Sequence, residues 1–275
     1  MSATVEITND IAQIRMDDGK ANAINFDMIA ALNAALDTAE ANAKAIVLAG
    51  REGRFSGGFD LNAFASLGPD GVYKLLDAGA ELLLRLYGGP LPVVAACTGH
   101  AIAMGVFILH ACDTRIGTAG DYKIGANEAI TGMNLPIFAM ELARDRLNPS
   151  HLTRAMIQGF IYNPQGALEA GYFDIVAELG EVEAKSIAVA SQPARTVARQ
   201  SVCLEQEICP QSDPRPHPRE FRRASQALRC ASQLLTAHKL PSPMPAPRRP
   251  IAGRQSPKPL RGSHSTSAIR PRQAG

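Results

Sequence analysis

Two short runs in this chain carry no polar residue, Ala45-Ile-Val-Leu-Ala49 and Pro92-Val-Val-Ala-Ala96. A strand with one wet face alternates apolar and polar side chains, so an unbroken apolar run reads as a strand covered on both faces. The chain between and around them supplies covering helices. Phe26, Ile29, Ala30, Leu32, Ala35, Leu36 and Ala39 share one helical face behind a cap at Asn25 or Asp27. Val72, Leu75, Leu76, Gly79, Leu82, Leu83 and Leu86 share another, ended by Gly88-Gly89-Pro90. The chain opens as a β-hairpin, with Val5 and Ile7, then a turn at Asn9-Asp10, then Ala12, Ile14 and Met16. Thr114 to Ile116 is strand-like, and helices are expected over 136–146, 151–159 and 164–170. Strand and helix alternating at this spacing predict an α/β fold.

The pattern does not run to the end. Residues 1–192 hold 13 Lys/Arg against 22 Asp/Glu, whereas residues 193–275 hold 15 against 4 and 13 of the 19 prolines. Segments such as DPRPHPRE (213–220) and PSPMPAPRRP (241–250) have too little apolar surface to offset the entropy of ordering. Only 221–239 keeps helical spacing. The organisation expected is a domain over 1–190 and a basic, largely disordered Pro/Arg/Ser-rich tail over 191–275, of the kind that a shifted reading frame in GC-rich DNA or a non-native extension yields. The first residues lack the basic and apolar regions of a secretory signal, and no run approaches the roughly 18 apolar residues of a membrane span. Five cysteines without CxxC spacing read as reduced thiols, so a cytoplasmic location is expected.

Each apolar run leads into a glycine-rich stretch, GRFSGGFDL (53–61) after the first and TGHAIAMG (98–105) after the second. Glycine lets main-chain N–H groups approach a ligand closely, and the second stretch enters a helix whose positive end suits developing negative charge. Two such donors on one oxygen make an oxyanion hole, each worth about 3–4 kcal/mol of barrier. Either stretch alone reads first as an ordinary strand-to-helix turn; the pair, in order and about 40 residues apart, points to the site.

Taken with ANAIN (21–25), HACDTRI (110–116), IGANEA (124–129) and GALEAGYFDIV (166–176), these stretches resemble the crotonase, or enoyl-CoA hydratase/isomerase, superfamily from about Val5 to Val176. The resemblance implies a spiral of ββα turns, an acyl-CoA substrate with coenzyme A as part of it and no separate cofactor, and homotrimers or hexamers. It implies that the oxyanion donors are the amides of Phe59 and Met104. Methionine stands where the family usually has glycine, which keeps the amide and narrows the pocket. It also implies substrate contacts from Ala21, Ala23, Ser56, Gly57, Gly58, Asp60, Leu61, Gly105 and Phe107. Lys20 is read as a solvated lysine, and Asp113, His100 and His110 as structural.

Glu128 stands at the position of the family's catalytic glutamate. Removing a proton alpha to a thioester needs a placed base and a stabilised enolate, and an apolar setting (Ile124, Ala126, Ile130, Met133) raises a carboxyl pKa. Hydratases of the family carry a second glutamate six residues before the Asp of the CD motif; here that position is Phe107, which can neither activate nor hold water. One carboxylate suffices to shift a double bond. The expectation is therefore a 3-enoyl-CoA to 2-trans-enoyl-CoA isomerase of fatty-acid degradation, the alternatives being a hydratase or a CoA-thioester-binding protein with little turnover. The basic tail lacks interleaved aromatics, so a nucleic-acid partner is not expected. Neither a metal-ligand cluster nor a dinucleotide fingerprint is present, and no membrane partner is expected.

Overall fold

The computed structural model of the chain describes residues 2–192. Of the tail expected from residue 191, only Ser191 and Gln192 are described; the expectations for the rest, including the helical spacing at 221–239, lie outside the described residues.

β1 (Ala3–Thr8) and β2 (Ile11–Met16) pair antiparallel. Asn9 and Asp10 between them both take positive φ (51° and 64°), which a two-residue hairpin turn twisted like its strands requires. α1 (Phe26–Asn42) starts at Asn25, whose side chain accepts from the Met28 N–H at 2.9 Å. β4 (Ala45–Ala49), β7 (Val93–Cys97) and β9 (Thr114–Thr118) are buried at every residue. They lie in one six-stranded sheet of order β1-β2-β4-β7-β9-β11, parallel after the first pair, with β11 at Ile175–Ala177. One face packs Ile46, Leu48 and Ala95 into the main core with α1. The other packs Val47, Val94, Ala96 and Ile116 against Val182 and Ile187 of α7 (Val182–Ala190). Both-sided burial is the reason β4 and β7 carry no polar alternation.

A second, parallel sheet sits at one end of the spiral. It consists of β5 (Gly53–Ser56), β8 (Gly99–Ile102) and β10 (Ile124–Gly125) in the order β10-β8-β5. β3 (Ala23–Ile24) pairs with β6 (Gly58–Phe59). Each turn of chain gives one strand to the large sheet, the next to the small sheet, and then a helix: β4, β5, α2 (Leu61–Gly88); β7, β8, α3 (Met104–Ala111); β9, β10, α4 (Ile137–Arg146). This is the ββα spiral that the resemblance implies.

Three elements differ from the sequence reading. α2 begins at Leu61, well before Val72, and is broken at Gly68 (φ 64°, ψ 173°), where Pro69 prevents its predecessor from staying helical. Residues 99–102 form a strand inside what reads as a loop, because four residues give too short an alternation to detect. The helix expected over 151–159 is α5 (Pro149–Leu152) running into a single π turn, Thr153–Ile157. α6 (Pro164–Ala170) matches its expected span. No helix among the described residues is long and apolar enough to cross a membrane.

Candidate active site

The three strands of the small sheet are parallel, so their C-terminal ends lie at one edge, where α/β sheets bind ligands. Ser56 ends β5, Ile102 ends β8, and Gly125 ends β10. The residues that follow are Gly57 to Phe59, Ala103 to Gly105, and Ala126 to Glu128. The fold thus brings together the three separate stretches that the sequence reading singles out.

The first stretch is held by its own backbone. The Gly57 N–H donates to Ala21 O at 2.8 Å. The buried Ser56 hydroxyl donates to Asn22 O (2.8 Å) and accepts from the Gly58 N–H (3.2 Å). Ala23 pairs with Gly58, and Ile24 with Phe59. The Asp60 N–H donates to Ile24 O at 3.0 Å. Successive N–H groups of a strand alternate in direction, so the Phe59 N–H between them faces away from β3.

The second stretch turns sharply. Ala103 has φ 52° and ψ −123°, a conformation that alanine pays for, and its N–H donates to Gly125 O at 3.0 Å. Met104 then opens α3, so its amide is among those a helix start leaves without an intrahelical partner. A Cβ placed on Gly58 (φ 92°) would lie 3.3 Å from Met104 N, 3.0 Å from Ile102 O and 2.8 Å from Ala103 Cβ. One on Gly105 would lie 2.6 Å from Ser56 O. The two backbones therefore touch, and glycine is what allows it.

The Met104 side chain turns into the core, 1% exposed, with its methyl and the Phe59 ring both against Gly79 of α2. The narrowing expected from Met104 is met by a glycine on the facing helix. Phe59 also packs on Phe64, ring centroids 5.4 Å apart.

The third stretch follows β10 into a series of turns. The Glu128 carbonyl accepts from the Met133 N–H (2.9 Å) and the Thr131 hydroxyl (3.0 Å), which fixes the residue's backbone. Its carboxylate oxygen Oε2 is buried and has no hydrogen-bond partner among the described residues. Burial holds the carboxyl above the usual glutamate range, and its own backbone amide only partly offsets this. Of the four residues expected to make its surroundings apolar, Ile124 and Ala126 are buried, but Ile130 is 67% exposed and Met133 also faces out. Tyr172, fully buried, lies near enough for the Glu128 charge to raise its pKa.

Other expected site residues have different tasks. Asp60 caps α2, its Oδ1 accepting from the Asn62 (2.9 Å) and Ala63 (3.3 Å) amides. Leu61 lies exposed on the first turn of α2. Phe107 is buried in α3, its ring edge-on to His110 at 6.0 Å. Asp113 accepts from the Val93 N–H (2.7 Å) at the start of β7. His100 packs on Tyr122 and accepts from the Lys123 N–H, away from the strand ends.

Asn22 and Ala103 are residues the sequence reading does not single out. Asn22 is fully buried and donates to Met16 O, Arg54 O and Phe55 O at 2.9–3.2 Å, tying β2 to β5. An asparagine between two alanines at a turn is a legible signal for it. Nothing in the sequence marks Ala103.

A sequence model of the enoyl-CoA hydratase/isomerase family matches residues 6–232. The chain belongs to that family. The match runs past the change in composition near residue 190. Human mitochondrial enoyl-CoA delta isomerase 1 is 27% identical over 187 residues, 66% of this chain and 62% of the human protein. A probable enoyl-CoA hydratase of Bacillus subtilis is 33% identical over 47% of this chain and 50% of its own length. The chain thus spans less than two thirds of these relatives. A crystal structure of an enoyl-CoA hydratase/isomerase family protein from Pseudomonas syringae superposes with a TM-score of 0.72 at 32% identity, covering 87% of this chain and 98% of that one.

Proposed function

We propose that this member of the enoyl-CoA hydratase/isomerase family is a Δ3,Δ2-enoyl-CoA isomerase. The thioester oxygen of a 3-enoyl-CoA accepts hydrogen bonds from the Phe59 and Met104 amides, and ionised Glu128 removes an alpha proton. The two amides carry the charge of the dienolate, each contributing about 3–4 kcal/mol. Protonated Glu128 then returns the proton to the gamma carbon, leaving the conjugated 2-trans product. General acid–base transfer of this kind contributes about 10²–10⁴-fold.

The observation that carries the reading is the pairing of a partly buried Glu128, whose Oε2 is shut from solvent and unspent among the described residues, with a buried phenyl group at 107. Hydration needs one group to activate water and another to protonate carbon. Phe107 supplies neither and makes its side of the site apolar. The human isomerase among the relatives supports this reading; the Bacillus relative, named a probable hydratase, favours the other. Coenzyme A belongs to the substrate, with Ala21, Ala23, Gly57 and Gly58 as its proposed backbone contacts, and a trimer or hexamer is the proposed assembly.

The test is to incubate purified protein separately with a 3-enoyl-CoA and a 2-enoyl-CoA. Conjugated product from the first, abolished in Glu128→Gln, supports the isomerase. Hydration of the second at a comparable rate overturns it, and binding of both without turnover points to a thioester-binding protein.

A further inference from the structure

The Tyr172 ring lies under the segment that carries Glu128. It follows α6 and the left-handed Gly171, and its N–H donates to Ala167 O at 2.8 Å. Its ring is fully buried between two others: His110 stacks on it at 5.1 Å and 21°, and Tyr162 leans on it at 5.6 Å. Tyr162 is bridged to β10 by two main-chain hydrogen bonds with Ile124, of 2.8 and 2.9 Å. Rings and bridge together fix Tyr172 beside the chain that runs from β10 to Glu128.

The Tyr172 hydroxyl is out of place in such a setting. Among the described residues it is buried without a hydrogen-bond partner, although the Ala126 amide, two residues before Glu128, faces its oxygen. Burial first, then Tyr162 and Glu128, push the phenol far up, so it stays protonated and remains a donor at every working pH. Glu128 Oε2 is the complementary case, a buried acceptor with no donor. Leaving either group unsatisfied is costly, and one hydrogen bond would satisfy both.

We propose that Tyr172 is a positioning residue for Glu128, its hydroxyl donating to Oε2 when the carboxylate is ionised. The carboxylate would turn about its own side chain to accept this bond, and the His110 ring, stacked at 5.1 Å, holds the phenol from one face. Such a bond stabilises the charged base and aims its other oxygen at the strand ends where Phe59 and Met104 lie. His110 is neutral there: burial first, then Arg115 and Arg146, hold its pKa well below the usual histidine range. Arg154 and His151 face Tyr162.

This inference rests on Glu128 being the base, and the experiment separates the two. The full chain is labelled with ¹³C at glutamate carboxyls and titrated by NMR, Glu128→Gln identifying the resonance. In Tyr172→Phe the Glu128 midpoint is expected to rise by about one pH unit or more, since hydrogen bonds to charged groups are of that strength. The acid limb of kcat/KM on a 3-enoyl-CoA is expected to move with it, while KM stays unchanged. Replacing Tyr172 with 3-fluorotyrosine, a stronger donor of nearly the same shape, is expected to move the midpoint the opposite way. Tyr162→Phe, which removes a hydroxyl facing His151, is expected to do neither. An unmoved midpoint in the fluorotyrosine protein, or in folded Tyr172→Phe, overturns the proposal. Full activity in Glu128→Gln overturns the base assignment instead, whatever the titrations give.

Discussion

Gly58→Ala tests the proposed oxyanion hole without touching a side chain of the site. The added methyl would sit 2.8 Å from Ala103 Cβ and 3.3 Å from Met104 N. Carbon atoms pack at about 3.5–4.0 Å, so the 103–104 backbone must retreat by about 1 Å. A misplacement of that size at a reacting centre costs about 10²-fold in rate, and complete loss of one oxyanion donor costs about 10²–10³. The φ of 92° adds strain of about 1–3 kcal/mol to stability. Gly53→Ala is the control: its φ is 75°, but nothing lies within 4 Å of the added carbon. The expected result is similar destabilisation in both variants, with a drop in kcat of at least about 10²-fold in Gly58→Ala alone. Steady-state kinetics on a 3-enoyl-CoA, with thermal melts alongside, measure both. Equal kcat in the two folded variants would show that the Met104 amide does not hold the substrate oxygen.

Glu128→Gln is expected to lose about 10²–10⁴ in kcat yet melt higher than the parent at neutral pH. The sign follows from burial: a carboxyl whose folded pKa is raised contributes stability below its unfolded pKa and loses it as pH rises through the folded one. The gain in melting temperature should therefore vanish in acid, and a constant gain at all pH would refute the assignment. For the same reason kcat/KM in the parent should climb with pH across a midpoint above the ordinary glutamate value, as a pH–rate profile reads directly. Asn22→Ala strips three main-chain carbonyls of their donor and should cost about 2–3 kcal/mol in a denaturant melt. Asp174→Ala leaves Arg115, whose side chain is 7% exposed, without its two-oxygen partner; a loss of about 3 kcal/mol with unchanged KM is expected.

The large sheet is legible because burial on both faces leaves a compositional mark: β4 and β7 have no polar residue, and their helices keep a clean 3.6-residue period. β8 and α7 are harder. β8 spans four residues, and the contact that buries α7 comes from Val47 and Val94, far away in sequence. At the site, the glycines and Glu128 announce themselves as departures from local pattern. The cap made by Asp60 is not legible, because one carboxylate suits a ligand and a helix start equally, and only coordinates say which amides it meets. Tyr172 hides for a different reason. A buried aromatic in a helix-to-strand turn looks like core, and the role proposed for its hydroxyl depends on Glu128, which a separate segment carries.

The amides of Phe59 and Met104 belong to the peptide, not to the residue types that happen to carry them. A conventional alanine scan would leave both of these proposed oxyanion donors in place and return two unremarkable positions. Mutational tolerance at these sites therefore reports on packing against Gly79, and the glycines next door become the positions at which genetic variation can reach the chemistry.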